Sequence, residues 1–185
     1  MGLFDFLKGS KSDPAESLPQ NDAEKWTVGI YAMWSEYCGG SYKYFGGFEK
    51  NRSNASMARG VLSRDWAITN KQGVLDMVSY LIAEDHNSGD DAKKSAFNYG
   101  CAANIVARGY LGGHLTKDEL MAESAKIAKV IRAHYHSWNE FTEQYIEGVG
   151  LESGIADKKP MFTEICNKLS AMPDGPYTVD WETAI

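Results

Sequence analysis

The feature that most constrains this fold is a stretch of small and apolar residues, SAFNYGCAANIVAR, at positions 95–108. It contains no charged residue between Lys94 and Arg108. A helix that is apolar on nearly every face has to lie inside a domain, surrounded by other elements. The stretch is also too short to span a bilayer. It therefore predicts the central helix of an all-α domain.

Hydrophobic spacing in the rest of the chain supports this fold class. Apolar residues recur every three or four positions, which is typical of helices with one face in a core. We expect a single bundle of about six helices around the buried central helix, with little or no β structure. Besides the central one, the predicted helices cover about 22–37, 55–62, 71–85, 117–135, 138–147 and 160–169. Two capping boxes, Thr116 with Glu119 and Ser137 with Glu140, mark helix starts.

The chain divides into an N-terminal arm and one domain. Residues 9–22 are rich in glycine, serine, proline and acids, which is typical of a linker. We therefore predict a flexible arm and linker over 1–20 and a single helical domain over 21–185. Within the arm, residues 2–8 carry an apolar face that is expected to dock on the domain.

Composition and motifs limit the function classes. The 185 residues, 43% hydrophobic and 24% charged, suit one globular domain. No membrane-spanning run and no secretory signal occurs, so a cytoplasmic location is expected. The three cysteines form no CxxC pair and are expected to be free thiols.

Motifs of catalysis and cofactor binding are also missing from the sequence. It has no HExxH, no GxSxG or SxxK, and no phosphate-binding glycine loop. His134 and His136 are two residues apart on a helix and would point in different directions. No metal, cofactor or catalytic residue is predicted. An enzyme remains an alternative, because catalytic groups can assemble from distant positions.

Three pieces of the second half, AFNYGCAANIVARGY, GHLTKDE and SWNEFTEQYIEG, resemble an uncharacterised bacterial family, domain of unknown function 1266. The resemblance extends to LSRDWAITN and PDGPYTVDW and so covers about residues 60–181. Its most specific part is the pattern of Ser137, Trp138, Phe141, Tyr145 and Gly148. The family pattern carries an acid and an arginine where this chain has Asn98 and Cys101. The resemblance implies a helical fold and a bacterial cytoplasmic origin, and no established activity.

The charge of the chain is concentrated at its C-terminal end. From position 138 onward there are nine acids and three lysines, a balance of −6, whereas the preceding residues carry 16 acids and 16 bases. Such an acidic end argues against a nucleic acid as partner and favours a basic protein surface. A solvated acidic face without any partner is the simpler alternative.

Our main hypothesis is a non-enzymatic protein-binding module that presents this acidic surface to a basic partner. An immunity-type inhibitor of a bacterial toxin would fit the description. Charge would steer association, and buried aromatic anchors would supply most of the affinity. The candidate contact residues are Trp138, Glu140, Glu143, Tyr145, Glu147 and Glu152.

The alternative hypothesis is a small-molecule-binding protein or enzyme with a pocket against the central helix. Asn98 and Asn104 lie inside an apolar helix, where an unpaired amide costs about 1–3 kcal/mol. They could tie the helix to neighbouring backbone, or they could line a pocket together with Asp65 and Trp66. The sequence leaves both interpretations open.

Overall fold

The computed structural model of the protein describes residues 16–185, with the backbone alone described at 90–92. Within this range the chain forms seven α-helices, a few short 3₁₀ turns and no β-strand. The helices are α1 (Asp22–Tyr37), α2 (Arg52–Trp66), α3 (Lys71–Ile82), α4 (Ser95–Gly112), α5 (Lys117–His134), α6 (Trp138–Leu151) and α7 (Lys159–Ser170). The predicted all-α, single-domain bundle is confirmed.

Helix α4 is the centre of the bundle. All 18 of its residues are buried, and it contacts α1, α2, α3, α5 and α6. It starts at Ser95, as predicted, and runs past Arg108 to end before Gly113, whose left-handed φ of 81° stops the helix. Neither α4 nor any other helix in the described range combines the length and apolarity needed to cross a membrane.

Small residues let the neighbours of α4 approach its backbone. A Cβ atom on Gly100 would lie 2.2 Å from Cε2 of Tyr145, so only glycine admits the tyrosine ring at this point. Tyr145 is completely buried there. Two residues of the family pattern named above, Phe141 and Tyr145, therefore belong to the core around α4.

Local side chains set the helix starts. The Thr116–Glu119 capping box is present at the start of α5, as predicted. At α6 only half of the second predicted box forms: the Ser137 hydroxyl accepts the Glu140 N–H, but the Glu140 carboxylate accepts from the backbone N–H of His136 instead. The carboxylate thus reaches one residue further back than the box requires.

The packed body already includes residues before the predicted domain boundary at 21. Ser17 is 1% exposed, and its hydroxyl accepts the Lys50 N–H at 2.8 Å. The Tyr110 hydroxyl, on α4, donates to the Glu16 carbonyl at 2.7 Å. The apolar face predicted over residues 2–8, and most of the predicted arm, lie outside the described residues.

Candidate functional site

A pocket of about 270 Å³ lies against α4, between that helix, α2 and the end of α1. Its floor is polar and buried, whereas its mouth carries exposed side chains. The lining residues are Trp34, Cys38, Phe48, Met57, Val61, Arg64, Asp65, Trp66, Cys101, Asn104 and Arg108.

The floor of the pocket comes from one face of α4. Cys101, Asn104 and Arg108 are 7%, 6% and 5% exposed. They are three and four residues apart, a spacing that places them in one row along a helix. The central helix is therefore not apolar on the side that faces the pocket.

Arg108 places a buried guanidinium on this floor. Its Nε has no hydrogen-bond partner among the residues that the structure describes. The nearby carboxylate of Asp65 accepts from Arg64 instead, through two hydrogen bonds of 2.5 and 2.8 Å. Those bonds hold the pKa of Asp65 below its ordinary value; burial opposes them, and the positive charge of Arg108 adds to the lowering. The guanidinium also forms a hydrogen bond with the Cys38 thiol, which carries no charge. Because a buried ion costs several kcal/mol unless it is paired, the remaining Nε–H and the charge of Arg108 favour an anionic partner.

Asn104 adds a second unpaired donor to the floor. Its Nδ2 has no partner within the described part of the chain. Asn98 behaves differently, because its amide donates to the Asn87 side-chain oxygen at 3.0 Å. The Asn87 amide in turn donates to two backbone carbonyls at the end of α3. Asn98 therefore ties α4 to the end of α3 through Asn87, whereas Asn104 lines the pocket.

Of the four pocket residues predicted from the sequence, the structure brings Asp65, Trp66 and Asn104 together and places Asn98 elsewhere. Sequence reasoning missed Arg108. A signal for it existed, since Arg108 follows Asn104 by four residues on the same helical face. The residues contributed by α1 and by the loop after it, such as Trp34, Cys38 and Phe48, carried no comparable signal.

Two thiols line the pocket. Cys38 follows α1 and is partly open to solvent, although it also lines the pocket, while Cys101 is buried in α4. Burial raises the pKa of the Cys38 thiol, and the charge and hydrogen bond of Arg108 partly oppose that rise. Burial also raises the pKa of Cys101. Both thiols are therefore protonated at neutral pH and are not activated as nucleophiles.

The walls of the pocket are apolar and aromatic. They are formed by Trp34, Phe48, Met57, Val61 and Trp66. Trp34 is itself held by rings of the core, with Phe97 and Phe162 both at 5.9 Å between centroids. The site thus combines an apolar wall with unpaired donors on its floor, an arrangement typical of small-molecule pockets.

A larger groove of about 600 Å³ lies between residues 18–20, the start of α1 and residues 172–176. Of its two lysines, Lys25 pairs with Asp22 at 3.2 Å and Lys43 is exposed to solvent. Within residues 16–185, none of the buried unpaired polar atoms lines this groove. The groove therefore lacks the recognition chemistry of the α4 pocket.

Three of the four predicted acidic contact residues already interact with other groups of the protein. Glu147 pairs with Lys159 at 2.6 Å, and Glu152 pairs with Lys94 at 3.3 Å. Glu140 accepts the backbone N–H of His136 at the start of α6. Glu143 is exposed on the same helix.

The two aromatic residues predicted as partner anchors lie in the core. Tyr145 is 0% and Trp138 is 7% exposed. The Trp138 ring packs at 4.9 Å from Trp26 and 5.0 Å from Trp181, and its indole N–H donates to the Val179 carbonyl at 2.8 Å. We call Trp26, Trp138 and Trp181 the tryptophan cluster. Burial removes both predicted anchors from any surface that a partner could contact.

Metal-ligating side chains are dispersed over the residues that the structure describes. In the described part of the chain, no three His, Cys, Asp or Glu residues come close enough together to hold a metal ion.

Comparison with known proteins gives a family match for part of the chain. A family model described as "Protein of unknown function (DUF1266)" matches residues 89–181, about half of the chain. The matched range includes all of α4, and hence the pocket floor, whereas α1 and α2 lie outside it. No curated protein and no solved structure matches the chain.

Proposed function

This chain belongs to the DUF1266 family, and from its own geometry we propose that it binds a small molecule in the pocket between α1, α2 and α4. The observation that carries the proposal is the pair of unpaired donors on the floor, Arg108 Nε and Asn104 Nδ2. A buried donor without a partner costs about 1–3 kcal/mol, and more when it is charged. A ligand that accepts from both groups recovers that cost.

The ionisable groups of the lining are better suited to binding a ligand than to catalysis. The two thiols of its lining are protonated, because burial raises the pKa of each. The carboxylate of Asp65, the one acid among the lining residues, is engaged by Arg64. A general base would need a carboxylate that is free to accept a proton from the ligand.

A fragment screen by NMR tests this function. The library holds equal numbers of anionic, cationic and neutral fragments, and backbone amide shifts are followed in the ¹⁵N-labelled protein. We expect hits to shift the amides of Cys38, Asp65 and 101–108. The substitution Asn104→Leu should weaken these hits, whereas Asn98→Leu, the same change on α4 outside the pocket, should leave them unchanged. A screen in which no fragment of any charge shifts the pocket amides would refute the function.

A second candidate function is the binding of a basic protein at the acidic surface. The observation that favours it is the presence of exposed apolar side chains beside the acids. Leu151 at the end of α6 is 49% exposed, and Met161 at the start of α7 is 47% exposed. The ion pair of Glu147 with Lys159 joins the two helices there. An immunity-type inhibitor of a toxin is one protein of this kind.

Charge reversal tests the second candidate. Because Glu140 accepts a backbone hydrogen bond at the start of α6, the change is confined to Glu143→Lys with Glu147→Lys. This double variant should lose the partner that native protein captures from its own cell lysate at low salt. The exposed acid Glu49, before α2, supplies the control Glu49→Lys, which should capture normally. Equal capture by both variants would exclude the acidic surface.

A further inference from the structure

We infer that the ligand of the α4 pocket is a small monocarboxylate with an apolar body of about one ring, and that its carboxylate is bound by Arg108. This inference rests on the binding function proposed above and names the class of the ligand. It draws on three independent properties of the pocket: its charge, the shape of its donors and its volume.

The net charge of the lining residues matches a ligand that carries a single negative charge. Among the described lining residues, Arg64, Asp65 and Arg108 carry a formal charge at neutral pH and the others do not. Arg64 and Asp65 neutralise each other through their two hydrogen bonds. One positive charge, that of Arg108, is therefore left. A dianion such as a phosphate monoester would bring one more negative charge than the floor can balance, next to Asp65.

The donors on the floor match the geometry of a carboxylate. A guanidinium is planar and presents parallel N–H groups, which pair with the two oxygens of a carboxylate. Nδ2 of Asn104, one turn earlier on α4, supplies a further unpaired donor. A neutral amide ligand would satisfy the asparagine but would leave the charge of Arg108 unbalanced.

The volume and walls of the pocket limit the rest of the ligand. Pockets for drug-sized ligands span roughly 300–1,000 Å³, whereas this pocket measures about 270 Å³. The pocket therefore favours a small ligand over a dinucleotide. The aromatic walls at Trp34, Phe48 and Trp66 favour an apolar ring over a sugar or a second charged group.

Four ligands that share one ring and differ in charge test the inference on the native protein. They are benzoate, benzamide, benzylamine and phenyl phosphate, titrated in phosphate-free buffer of low chloride concentration and followed by amide shifts. A charge-assisted hydrogen bond predicts that benzoate binds about tenfold or more tightly than benzamide. Phenyl phosphate should bind more weakly than benzoate, and benzylamine should not bind.

Variants of the lining sharpen the test. Arg108→Met should reduce benzoate affinity by about tenfold or more and leave benzamide affinity within about twofold. The matched control is Arg59→Met, the same change on α2, where Arg59 donates to the Gly112 carbonyl away from the pocket. Asp65→Asn should raise benzoate affinity a few-fold, because it removes a negative charge beside the ligand. This variant keeps the inference testable if Arg108→Met does not fold.

The outcomes separate the ligand class from the binding function. Equal affinity for benzoate and benzamide, tighter binding of phenyl phosphate, or weaker benzoate binding by Asp65→Asn would each overturn the monocarboxylate. The same holds if other fragments occupy the pocket while none of these four does. In all of these cases the binding function stands. If no fragment of any class shifts the pocket amides, the binding function fails as well.

Discussion

The tryptophan cluster and the α4 pocket both pack aromatic side chains from α1, yet the indole donors of Trp26 and Trp138 are paired and two donors on the pocket floor are not. In the cluster, the indole N–H of Trp26 donates to the Trp181 carbonyl at 3.0 Å, and that of Trp138 donates to the Val179 carbonyl at 2.8 Å. In the pocket, Arg108 Nε and Asn104 Nδ2 find no partner within residues 16–185. Buried polar atoms without a partner in the described part of the chain also occur beside the cluster, at Arg132 Nε and Tyr177 Oη. What distinguishes the two donors of the pocket is the cavity that they border, which a ligand can enter.

The tryptophan cluster packs tightly against the backbone of α1. A Cβ atom on Gly29 would lie 2.6 Å from Cη2 of Trp138, so the ring packs directly on the backbone of α1. Trp26 is completely buried, and Trp181 brings the segment after α7 onto the same rings. Trp138 of the family pattern therefore acts through packing and through its bond to the C-terminal segment.

The largest expected difference between the two regions is in the free energy of unfolding that is lost when a tryptophan is replaced by alanine. Trp138→Ala removes a buried ring and its hydrogen bond and should lower the free energy of unfolding by about 3–5 kcal/mol. Trp66→Ala, the same change on the half-buried pocket wall, should cost about 1 kcal/mol, because less apolar surface leaves water there. Urea unfolding curves measure both. Equal losses would contradict the division of the molecule into a structural cluster and a binding pocket.

Replacing each of the two asparagines of α4 with leucine should have a smaller effect on stability. The direction of the effect should differ between the two positions. Asn98→Leu leaves the Asn87 side-chain oxygen without its donor and should destabilise the fold by about 1–2 kcal/mol. Asn104→Leu removes an amide that has no partner for its Nδ2 and should be neutral or stabilising by up to about 1 kcal/mol. Thermal unfolding of the two variants compares them directly. A clear loss of stability in Asn104→Leu would mean that its amide is paired in the free protein.

The smallest expected effect is on the titration of Cys38. The charge of Arg108 favours the thiolate, so Arg108→Met should raise the pKa of Cys38 further above its ordinary value. The pH profile of Cys38 alkylation then moves to higher pH, and the rate at pH 8 falls a few-fold, as peptide mass spectrometry would measure. Arg59→Met should leave the profile in place. A profile that stays in place or moves to lower pH would show that Arg108 does not favour the thiolate of Cys38.

Much of the helical framework was predictable because its determinants are local. The charge-free stretch led to the central helix, and α4 begins at the predicted Ser95. The Thr116–Glu119 capping box forms as expected, because its two side chains reach groups within one helical turn. The second box fails in part for a local reason too, since the Glu140 carboxylate also reaches the His136 N–H.

The candidate site was only partly predictable. Asp65, Trp66 and Asn104 were identified as pocket residues, and the structure places all three on one lining. Arg108 was overlooked, because an arginine at the end of an apolar stretch usually extends its charged group to water. Its burial depends on residues of α1 and α2 that lie more than 40 positions earlier in the chain.

The sequence by itself determined the helices of this protein, most of their starts and the burial of α4, because hydrophobic spacing and capping act between residues a few positions apart. The exception is α2, predicted over about 55–62, which runs from Arg52 to Trp66. Only the tertiary structure decided which polar groups of α4 would find partners. The packing of α1 and α2 against one face of α4 buries Arg108 and Asn104 where few side chains can reach them. Whether a buried donor is paired depends on what the rest of the chain brings to it, and hydrophobic periodicity carries no information about that.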